Sequence, residues 1–151
     1  MEAIILIGIQ ATGKTTFYQE RFSRTHQLIS LDVLKTRSRE DKALADCIRA
    51  RQPFVVDNTN VLVREREKYI RLAKEAGYRV TGYYFQSHLQ DALRRNQQRS
   101  GKAVIPRAGV AAKFYALQHP RLEEGFDRLY FVSTNEQGGF IVQEWRETGT
   151  A

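Results

Sequence analysis

Short apolar runs bounded by polar residues recur along the chain and predict buried β-strands. Runs of this length, flanked by turn or polar residues, are typical of strands in a parallel sheet. Two acidic residues, Asp32 and Asp57, closely follow such runs, which would place them at the carboxyl ends of strands. The predicted strands span 3–7, 27–30, 54–56, 78–85 and 127–133.

Amphipathic stretches separate the apolar runs and predict helices. In the stretch 61–76, apolar residues recur at steps of three and four, as one face of a helix requires. Strands that alternate with helices favour an α/β fold, with a parallel sheet flanked by helices on both faces, and ligands bind such sheets at the carboxyl ends of the strands. The predicted helices span 14–24, 33–51, 61–76, 89–99 and 108–118.

The length of the chain fits one folded domain. We expect residues 1–151 to form a single domain, with a lid at about 95–107 and a peripheral tail at 134–151. The tail contains one apolar island at 140–142. An extra strand, a cover for the sheet edge and a dimer contact are all open interpretations of this island.

Charge and cysteine content narrow the classes of function. The formal net charge of +7 favours anionic partners, although charge that serves only solubility would give the same sum. The single cysteine, Cys47, excludes an intrachain disulfide and a cysteine metal cluster. No apolar stretch approaches the roughly 20 residues of a transmembrane helix, and no secretory leader precedes the first strand. We therefore expect a cytoplasmic protein that does not act at a membrane.

The strongest chemical signal is the segment from Gly8 to Thr15, which reads Gly-Ile-Gln-Ala-Thr-Gly-Lys-Thr. It is a complete phosphate-binding loop, G-x-x-x-x-G-K-[ST], between a predicted strand and a predicted helix. The backbone N–H groups of such a loop and the start of the next helix bind polyphosphate. Lys14 is expected between the β- and γ-phosphates, and the Thr15 hydroxyl on Mg²⁺. The predicted nucleotide-binding residues are Gly8, Gln10, Ala11, Thr12, Gly13, Lys14, Thr15, Thr16 and Arg95.

Two acids at strand ends are candidates for the chemistry of phosphoryl transfer. Asp32 is expected to be the general base that accepts the proton of an attacking hydroxyl, although a short acid there would also cap a helix that begins at Val33. Asp57 ends a strand as a Walker-B-like acid would, and it is expected to hold Mg²⁺ with Thr15, directly or through water.

The polar residues after Asp57 predict an acceptor site. Asn58, Thr59 and Asn60 are expected to bind a phosphoryl acceptor through hydrogen bonds. Thr59 or Asn60 would equally suit the N-terminal cap of the next helix. Both interpretations stay open, because neighbouring residues can have different roles.

The segment 91–107 is rich in basic residues and is interrupted by Gly101 and Pro106. A basic run is commonly a solvated helix face, but a break between two helices is also what a closing lid needs. An arginine on such a lid can stabilise charge on the phosphoryl group and exclude water. Arg99 is the first choice for this role, and Arg95, one helical turn earlier, is the second.

Four motifs, taken in order, resemble one family. G-x-x-x-x-G-K-T at 8–15, Ile-Ser-x-Asp at 29–32, Val-Val-Asp-Asn-Thr-Asn at 55–60 and Arg-Arg-Asn-x-x-Arg at 94–99 are similar to motifs of the P-loop polynucleotide 5′-hydroxyl kinases and their small bacterial relatives, often labelled AAA-family ATPases. The resemblance covers about residues 1–133. It implies a sheet of strand order 2-3-1-4-5 and transfer of the γ-phosphate of ATP to the 5′-hydroxyl end of DNA or RNA.

The resemblance also implies residue roles. Lys14 and Thr15 would bind phosphate and Mg²⁺, with Asp32 as general base. Arg99 would be the lid arginine. Lys35 stands three positions after the base, where the family has a basic residue close to the acceptor phosphate.

Departures from the family pattern leave the acceptor open. Ala11 and Thr12 replace the Gly-Ser filling that is common in the family's loop. A kinase of a small alcohol, such as a nucleoside, a sugar acid or an antibiotic, would use the same machinery. A nucleotide-binding ATPase or switch without an alcohol acceptor would keep Lys14 and Thr15 and leave Asp32 idle.

Overall fold

Six strands form one sheet in the computed structural model, which describes residues 1–98 and 105–146. Most of the strands are short and begin or end within a residue or two of the predicted bounds. They are β1 (Glu2–Ile7), β2 (Gln27–Ile29), β3 (Phe54–Asp57), β4 (Arg79–Phe85), β5 (Arg128–Thr134) and β6 (Phe140–Glu144).

Helices connect the parallel strands and lie on both faces of the sheet. A short 3₁₀ turn at Leu122–Glu124 precedes β5. In the described ranges, no helix is both long and apolar enough to cross a membrane. The helices are α1 (Lys14–Arg21), α2 (Leu31–Leu34), α3 (Arg37–Arg49), α4 (Val63–Glu75), α5 (Leu89–Gln97) and α6 (Arg107–Ala116).

The strand order is β2-β3-β1-β4-β5-β6. β1 pairs in parallel with β3 and β4, and the parallel pairs β2–β3 and β4–β5 extend the sheet on either side. The predicted α/β class and the order 2-3-1-4-5 are therefore confirmed. β6 is added at the edge, antiparallel to β5. Because β6 contains the apolar island at 140–142, that island is an extra strand.

The central strand β1 is buried on both faces because successive side chains of a strand point in opposite directions. Leu6 packs with Phe17 of α1 on one face, and Ile5 packs with Ile70 of α4 on the other. Full burial of each such aliphatic side chain contributes about 1.5–3 kcal/mol. The carboxyl end of β1, where the phosphate loop begins, is thus anchored in the middle of the molecule.

One predicted helix, 33–51, is wrong in its bounds: it is two helices with a break at Lys35. Lys35 has a φ of 76°, outside the helical region. Thr36 then acts as N-cap of α3, since its side chain accepts a hydrogen bond of 3.1 Å from the backbone N–H of Arg39. The break separates α2, which contains Asp32, from the longer α3 and leaves Asp32 at the carboxyl end of β2.

The predicted lid at about 95–107 is described at its two ends. Residues 99–104, which include Arg99 and Lys102, lie outside the described residues. Asn96 joins the two ends, because its Oδ1 accepts from Ile105 N at 2.8 Å and its Nδ2 donates to Ile105 O. α5 and α6 are therefore held together at the base of this segment.

Candidate active site

The phosphate loop leaves the end of β1 and is tied to the end of β3. The backbone N–H of Gly8 donates to the carbonyl oxygen of Thr59 at 2.9 Å. Gly13 is the N-cap of α1 with a φ of 96°, and a Cβ there would lie 3.1 Å from Cε1 of Phe140. A side chain at position 13 would therefore be strained and crowded, which explains the glycine.

Two loop side chains fold back onto the loop itself. The Thr12 hydroxyl and the Lys14 ammonium group both donate to the carbonyl oxygen of Ile9, at 2.9 Å and 2.8 Å. Gln10 lines a cavity beside the loop, and its Oε1 is buried without a hydrogen-bond donor in the described part of the chain. A buried acceptor of this kind is uncommon in folded proteins.

Thr15 and Asp57 form the contact between the phosphate loop and β3. The Thr15 hydroxyl donates to Asp57 Oδ2 at 2.7 Å. Burial raises the pKa of the Asp57 carboxyl above its ordinary value, and the negative charge of Asp32 raises it further, whereas Lys14 and the Thr15 hydrogen bond lower it. A cation bound at this carboxylate would relieve the cost of burying its charge.

The donor set of this pair fits Mg²⁺. A hydroxyl and one carboxylate are hard oxygen ligands, and Mg²⁺ commonly takes its other ligands from nucleotide phosphates and water. No group of three or more His, Cys, Asp or Glu side chains suited to a metal occurs among residues 1–98 and 105–146. Any Mg²⁺ at Thr15 and Asp57 would thus depend on the nucleotide for much of its coordination.

Asp32 is exposed in α2 and lines the same cavity as the loop. It does not cap a helix at Val33, because the helix begins earlier and Ser30 is its N-cap. The backbone N–H of Leu31 donates to Asn58 Oδ1 at 2.9 Å. The amide of Asn58 therefore fixes the helical turn that presents Asp32.

Asn58 also belongs to a buried polar network. Its Nδ2 donates to Glu40 Oε2 at 2.9 Å and to the Tyr69 hydroxyl at 3.2 Å. Tyr69 donates to Glu40 Oε2 at 2.9 Å, and Arg37 Nη1 donates to Glu40 Oε1 at 2.9 Å. Burial, followed by the Glu40 charge, raises the pKa of Tyr69 to about 12, so its hydroxyl keeps its proton at neutral pH. The network joins α2, α3, β3 and α4 beside the cavity.

The next two residues, Thr59 and Asn60, do not cap α4, which begins later and has Leu62 at its N-cap. Asn60 has a φ of 49°, and its Nδ2 donates to the carbonyl oxygen of Leu6 at 2.9 Å. Arg66 Nη1 in turn donates to the Asn60 carbonyl oxygen at 2.8 Å. The buried Asn60 side chain therefore holds the β3–α4 connection against the end of β1.

A cavity of about 300 Å³ joins the phosphate loop to these strand ends. It brings together most of the residues that the sequence predicted and several that it missed. The predicted residues on its wall are Gln10, Ala11, Gly13, Lys14, Thr15, Thr16, Asp32, Asp57, Asn58, Thr59 and Asn60. The wall residues absent from the prediction include Arg37, Glu65, Ile105 and Lys113.

Two predicted cations lie outside the wall of this cavity, and the position of a third is not described. Lys35 is exposed and outside the cavity wall, although it is close to Asp32 in the chain. Arg95 lines a separate cavity of about 480 Å³, and its Nη2 donates to the Thr134 hydroxyl at 3.4 Å. Arg99 lies outside the described residues.

This second cavity adjoins the other side of the phosphate loop. Gly13 and Thr16 contribute to its wall from the loop and α1, and Phe140 contributes from β6. The Phe140 ring also stacks edge to face on Phe17 at 5.1 Å. No pattern in the sequence predicts this contact, because it joins segments near opposite ends of the chain.

An α/β fold whose mixed sheet has a phosphate loop at the end of its central strand defines a P-loop domain of the kinase type. The chain matches the model of the AAA-domain family over residues 4–119, which is more than half of its length, and it belongs to that family. The resemblance inferred from the four motifs is thereby confirmed.

A relative of known activity agrees with this classification. Over 132 residues, the chain is 26% identical to the bifunctional polynucleotide phosphatase/kinase of Schizosaccharomyces pombe, a match that covers 85% of the chain and 32% of that protein. The chain thus spans about a third of this relative's length.

Solved structures share the fold. A chain of the AvrRxo1-ORF1:-ORF2 complex with ATP superposes with a TM-score of 0.71 and 19% identity, covering 93% of this chain and 57% of that one. A gluconokinase from Sinorhizobium meliloti 1021 superposes with a TM-score of 0.61 and 19% identity, covering 87% of this chain and 82% of that one. The fold is therefore kinase-like.

Proposed function

We propose that the protein is an ATP-dependent phosphotransferase that moves the γ-phosphate to a hydroxyl acceptor, and that the acceptor is the 5′-hydroxyl end of DNA or RNA. The observation that carries the proposal is that one cavity contains Lys14 of the phosphate loop, the Thr15–Asp57 pair and the exposed carboxylate of Asp32. A site for a triphosphate, a site for Mg²⁺ and a base for a hydroxyl are what such a transfer requires.

ATP would bind with its phosphates in the loop and its nucleoside toward the second cavity. Backbone N–H groups and Lys14 would bind the phosphates, and Arg95 and Phe140 line the wall of the second cavity. The structure of a neighbour with ATP and the match to a polynucleotide phosphatase/kinase support ATP as donor. Mg²⁺ would be held by Thr15 and Asp57 and would neutralise phosphate charge.

Asp32 would take the proton of the acceptor hydroxyl as its oxygen attacks the γ-phosphorus. The new bond joins that oxygen to phosphorus, the bond to the β-phosphate oxygen breaks, and the leaving group is ADP. Asp32 is exposed to the cavity and held by α2, which Asn58 fixes through the N–H of Leu31. A base placed on a rigid turn is a requirement for efficient proton transfer.

Basic residues near Asp32 support a nucleic acid as acceptor. Arg37 lines the cavity, while Lys35 and Arg39 are exposed in the same segment of the chain. We infer that Arg37 contacts the part of the acceptor closest to the hydroxyl, and that Lys35 contacts parts that extend from the cavity. The net charge of +7 is in keeping with such a polyanion.

The second candidate is the kinase of a small polyhydroxyl compound. Glu65 is on the cavity wall, where its negative charge would repel an acceptor phosphate, whereas its carboxylate could accept a hydrogen bond from a hydroxyl. The volume of about 300 Å³ also suits a small acceptor.

The test is a transfer assay with labelled ATP and Mg²⁺ on matched acceptors. Short 5′-hydroxyl DNA and RNA, nucleosides and sugars are incubated in parallel at increasing salt. Label on oligonucleotides, with transfer falling steeply as salt rises, is the expected result. If only a small compound is labelled, with little dependence on salt, the acceptor is that compound and not a nucleic acid. If only free phosphate is released and no acceptor stimulates its release, the protein is an ATPase or switch.

A further inference from the structure

We propose that Lys113 of α6 binds the γ-phosphate of the nucleotide, a role that rests on the proposed function because it requires ATP in the phosphate loop. Lys113 lines the same cavity as Lys14, Asp32 and Asp57. It therefore brings a positive charge to the phosphates from the α5–α6 side of the molecule.

The direction of the Lys113 side chain follows from its place on α6. Val110 is fully buried in a cluster with Ile9 of the phosphate loop and Val61 of the β3–α4 connection. Lys113 comes three residues after Val110, so both lie on the same face of the helix. The aliphatic stem of Lys113 can then lie along this apolar cluster while its ammonium group reaches the cavity.

The position of α6 is fixed by contacts at both of its ends. Beyond its C-terminal end, the backbone N–H of Gln118 donates to Val61 O at 2.8 Å, and the Gln118 side chain accepts from Val63 N at 2.7 Å. Before its first turn, Ile105 is bonded to Asn96 of α5 through both backbone groups. Lys113 is thus mounted on a helix that is anchored directly beside the phosphate loop.

Lys113 differs from the other cations on the cavity wall in its partners. Lys14 donates to the Ile9 carbonyl oxygen, and Arg37 donates to Glu40 and Tyr69. Across the ranges 1–98 and 105–146, the Lys113 side chain makes neither a hydrogen bond nor an ion pair. An ammonium group that has no ion-pair partner is stabilised when an anion binds next to it.

The γ-phosphate is the part of the nucleotide that this geometry assigns to Lys113. The cavity that contains Lys113 also contains the Thr15–Asp57 pair and Asp32, which surround the point of transfer. The second cavity, which we assign to the nucleoside, does not include Lys113. During transfer, Lys113 would keep its proton and donate hydrogen bonds to the equatorial oxygens as the bond to the β-phosphate breaks.

The experiment compares the affinities of ATP and ADP, measured by calorimetry with Mg²⁺ and without any acceptor. The proteins are the wild type, Lys113→Gln, Lys113→Arg and a control, Lys42→Gln. Lys42 lies on the surface of α3, is paired with Asp46 at 3.1 Å and does not line the cavity. The control removes the same charge without touching the site.

Lys113→Gln is expected to weaken ATP binding by about tenfold or more while ADP binding is unchanged, which is the loss for one charged hydrogen bond. Lys113→Arg should retain most of the ATP affinity, and Lys42→Gln should match the wild type. Equal losses for ATP and ADP, or no loss in Lys113→Gln, would overturn the assignment. If Lys113→Gln does not fold, Lys113→Met keeps the apolar stem and gives the same comparison.

The same data separate this inference from the proposed function. A wild type that transfers phosphate and a Lys113→Gln variant with an unchanged ratio of ATP to ADP affinity would reject Lys113 alone. If Lys113→Gln lowers the ratio of ATP to ADP affinity but the wild type phosphorylates no acceptor, the role of Lys113 is retained and the kinase activity is rejected. A chain that binds neither nucleotide would overturn both.

Discussion

The Thr15 hydroxyl donates a hydrogen bond of 2.7 Å to Asp57, which joins the end of the phosphate loop to the end of β3. The two residues are 42 positions apart in the chain, so the parallel pairing of β1 with β3 is what brings them together. The pair has the oxygen ligands that Mg²⁺ prefers, and it adjoins the loop expected to hold the phosphates.

Loss of the Thr15 hydroxyl should impair nucleotide binding in a magnesium-dependent way. Thr15→Ala is expected to weaken ATP binding at least about tenfold with Mg²⁺, since outer-shell partners of a metal alone are worth about that much. Titration calorimetry with Mg²⁺ and with EDTA measures the difference. Thr15→Ser keeps the hydroxyl, so Mg²⁺ should still strengthen its binding of ATP. An equal loss of ATP affinity in Thr15→Ala and Thr15→Ser would argue against a role of the hydroxyl in binding Mg²⁺.

The stability of the nucleotide-free protein should depend on the charge of Asp57. Because burial raises the pKa of this acid above its ordinary value, the folded state binds the proton more tightly than the unfolded state does. The free energy of unfolding therefore falls as pH rises from the ordinary pKa through the raised one. Asp57→Asn, which retains an oxygen to accept from Thr15, is expected to be the more stable protein at neutral pH.

This difference should disappear at a pH below the ordinary pKa of aspartate, where the wild-type carboxyl is protonated in both states. Thermal unfolding of the two proteins in EDTA across a pH series measures this difference in stability. In a chain of this size, each kcal/mol shifts the unfolding midpoint by about 2–4 °C. A variant that is less stable than the wild type at neutral pH would show that the buried charge is compensated.

The hydroxyl of Tyr69 should be needed for both stability and catalysis. Tyr69→Phe leaves Glu40 and Asn58 with one partner fewer in a buried network, which is expected to cost about 1–3 kcal/mol. Since Asn58 fixes the turn before Asp32, phosphate transfer should fall more than ATP affinity. Tyr115→Phe, at a side chain that is 77% exposed, should change neither quantity. If Tyr69→Phe and Tyr115→Phe have the same stability and the same rate of phosphate transfer, the network does not position Asp32.

Breaking the buried ion pair of Arg66 with Glu124 should strongly destabilise the fold. Their side chains are 0% and 8% exposed, and Nε lies 2.8 Å from Oε1. Glu124→Gln leaves the arginine charge uncompensated and is expected to cost about 3–5 kcal/mol in denaturant unfolding. The exposed pair of Lys42 with Asp46 is the control, and its loss should leave the denaturant midpoint nearly unchanged because solvent screens the two charges. A small effect of Glu124→Gln would mean that Arg66 finds another acceptor.

β6 should contribute to nucleotide affinity through the face of the strand that lines the second cavity. Phe140 packs on Phe17 and lines the second cavity, whereas Ile141, the next residue on the strand, is 40% exposed. Phe140→Ala is expected to weaken ATP binding. Because Phe140 is only partly buried, the substitution should lower the free energy of unfolding by less than the value of about 3–5 kcal/mol that is typical of a fully buried phenylalanine. Ile141→Ala should leave ATP affinity unchanged. If Phe140→Ala binds ATP like the wild type, the nucleoside does not use this cavity.

The sequence predicted those parts of the site that depend on local patterns. The phosphate loop is a contiguous motif, and the alternation of strands and helices placed Asp32 and Asp57 at strand ends, where the structure has them. The break at Lys35 was missed because the charged stretch 33–51 has no glycine or proline, and the threonine cap at Thr36 was the available signal.

The parts of the site that the sequence did not predict depend on tertiary contacts. Asn58 meets Tyr69 and Glu40 across 11 and 18 positions, and no periodicity in the sequence links them. Lys113 is an isolated lysine on a helix, and its place in the cavity follows only from the packing of α6 on the phosphate loop. The island at 140–142 became a strand through pairing with β5, which its composition alone allowed but did not require.

Asp32 is tested most directly by single-turnover transfer of the labelled γ-phosphate to a 5′-hydroxyl oligonucleotide, comparing the wild type with Asp32→Asn and measuring ATP affinity alongside. The expected result is that Asp32→Asn binds ATP nearly as tightly as the wild type but transfers phosphate about 10²–10⁴-fold more slowly, as for loss of a general base. Equal transfer by the two proteins, or a wild type that releases only free phosphate, would contradict a kinase that uses Asp32 as its base.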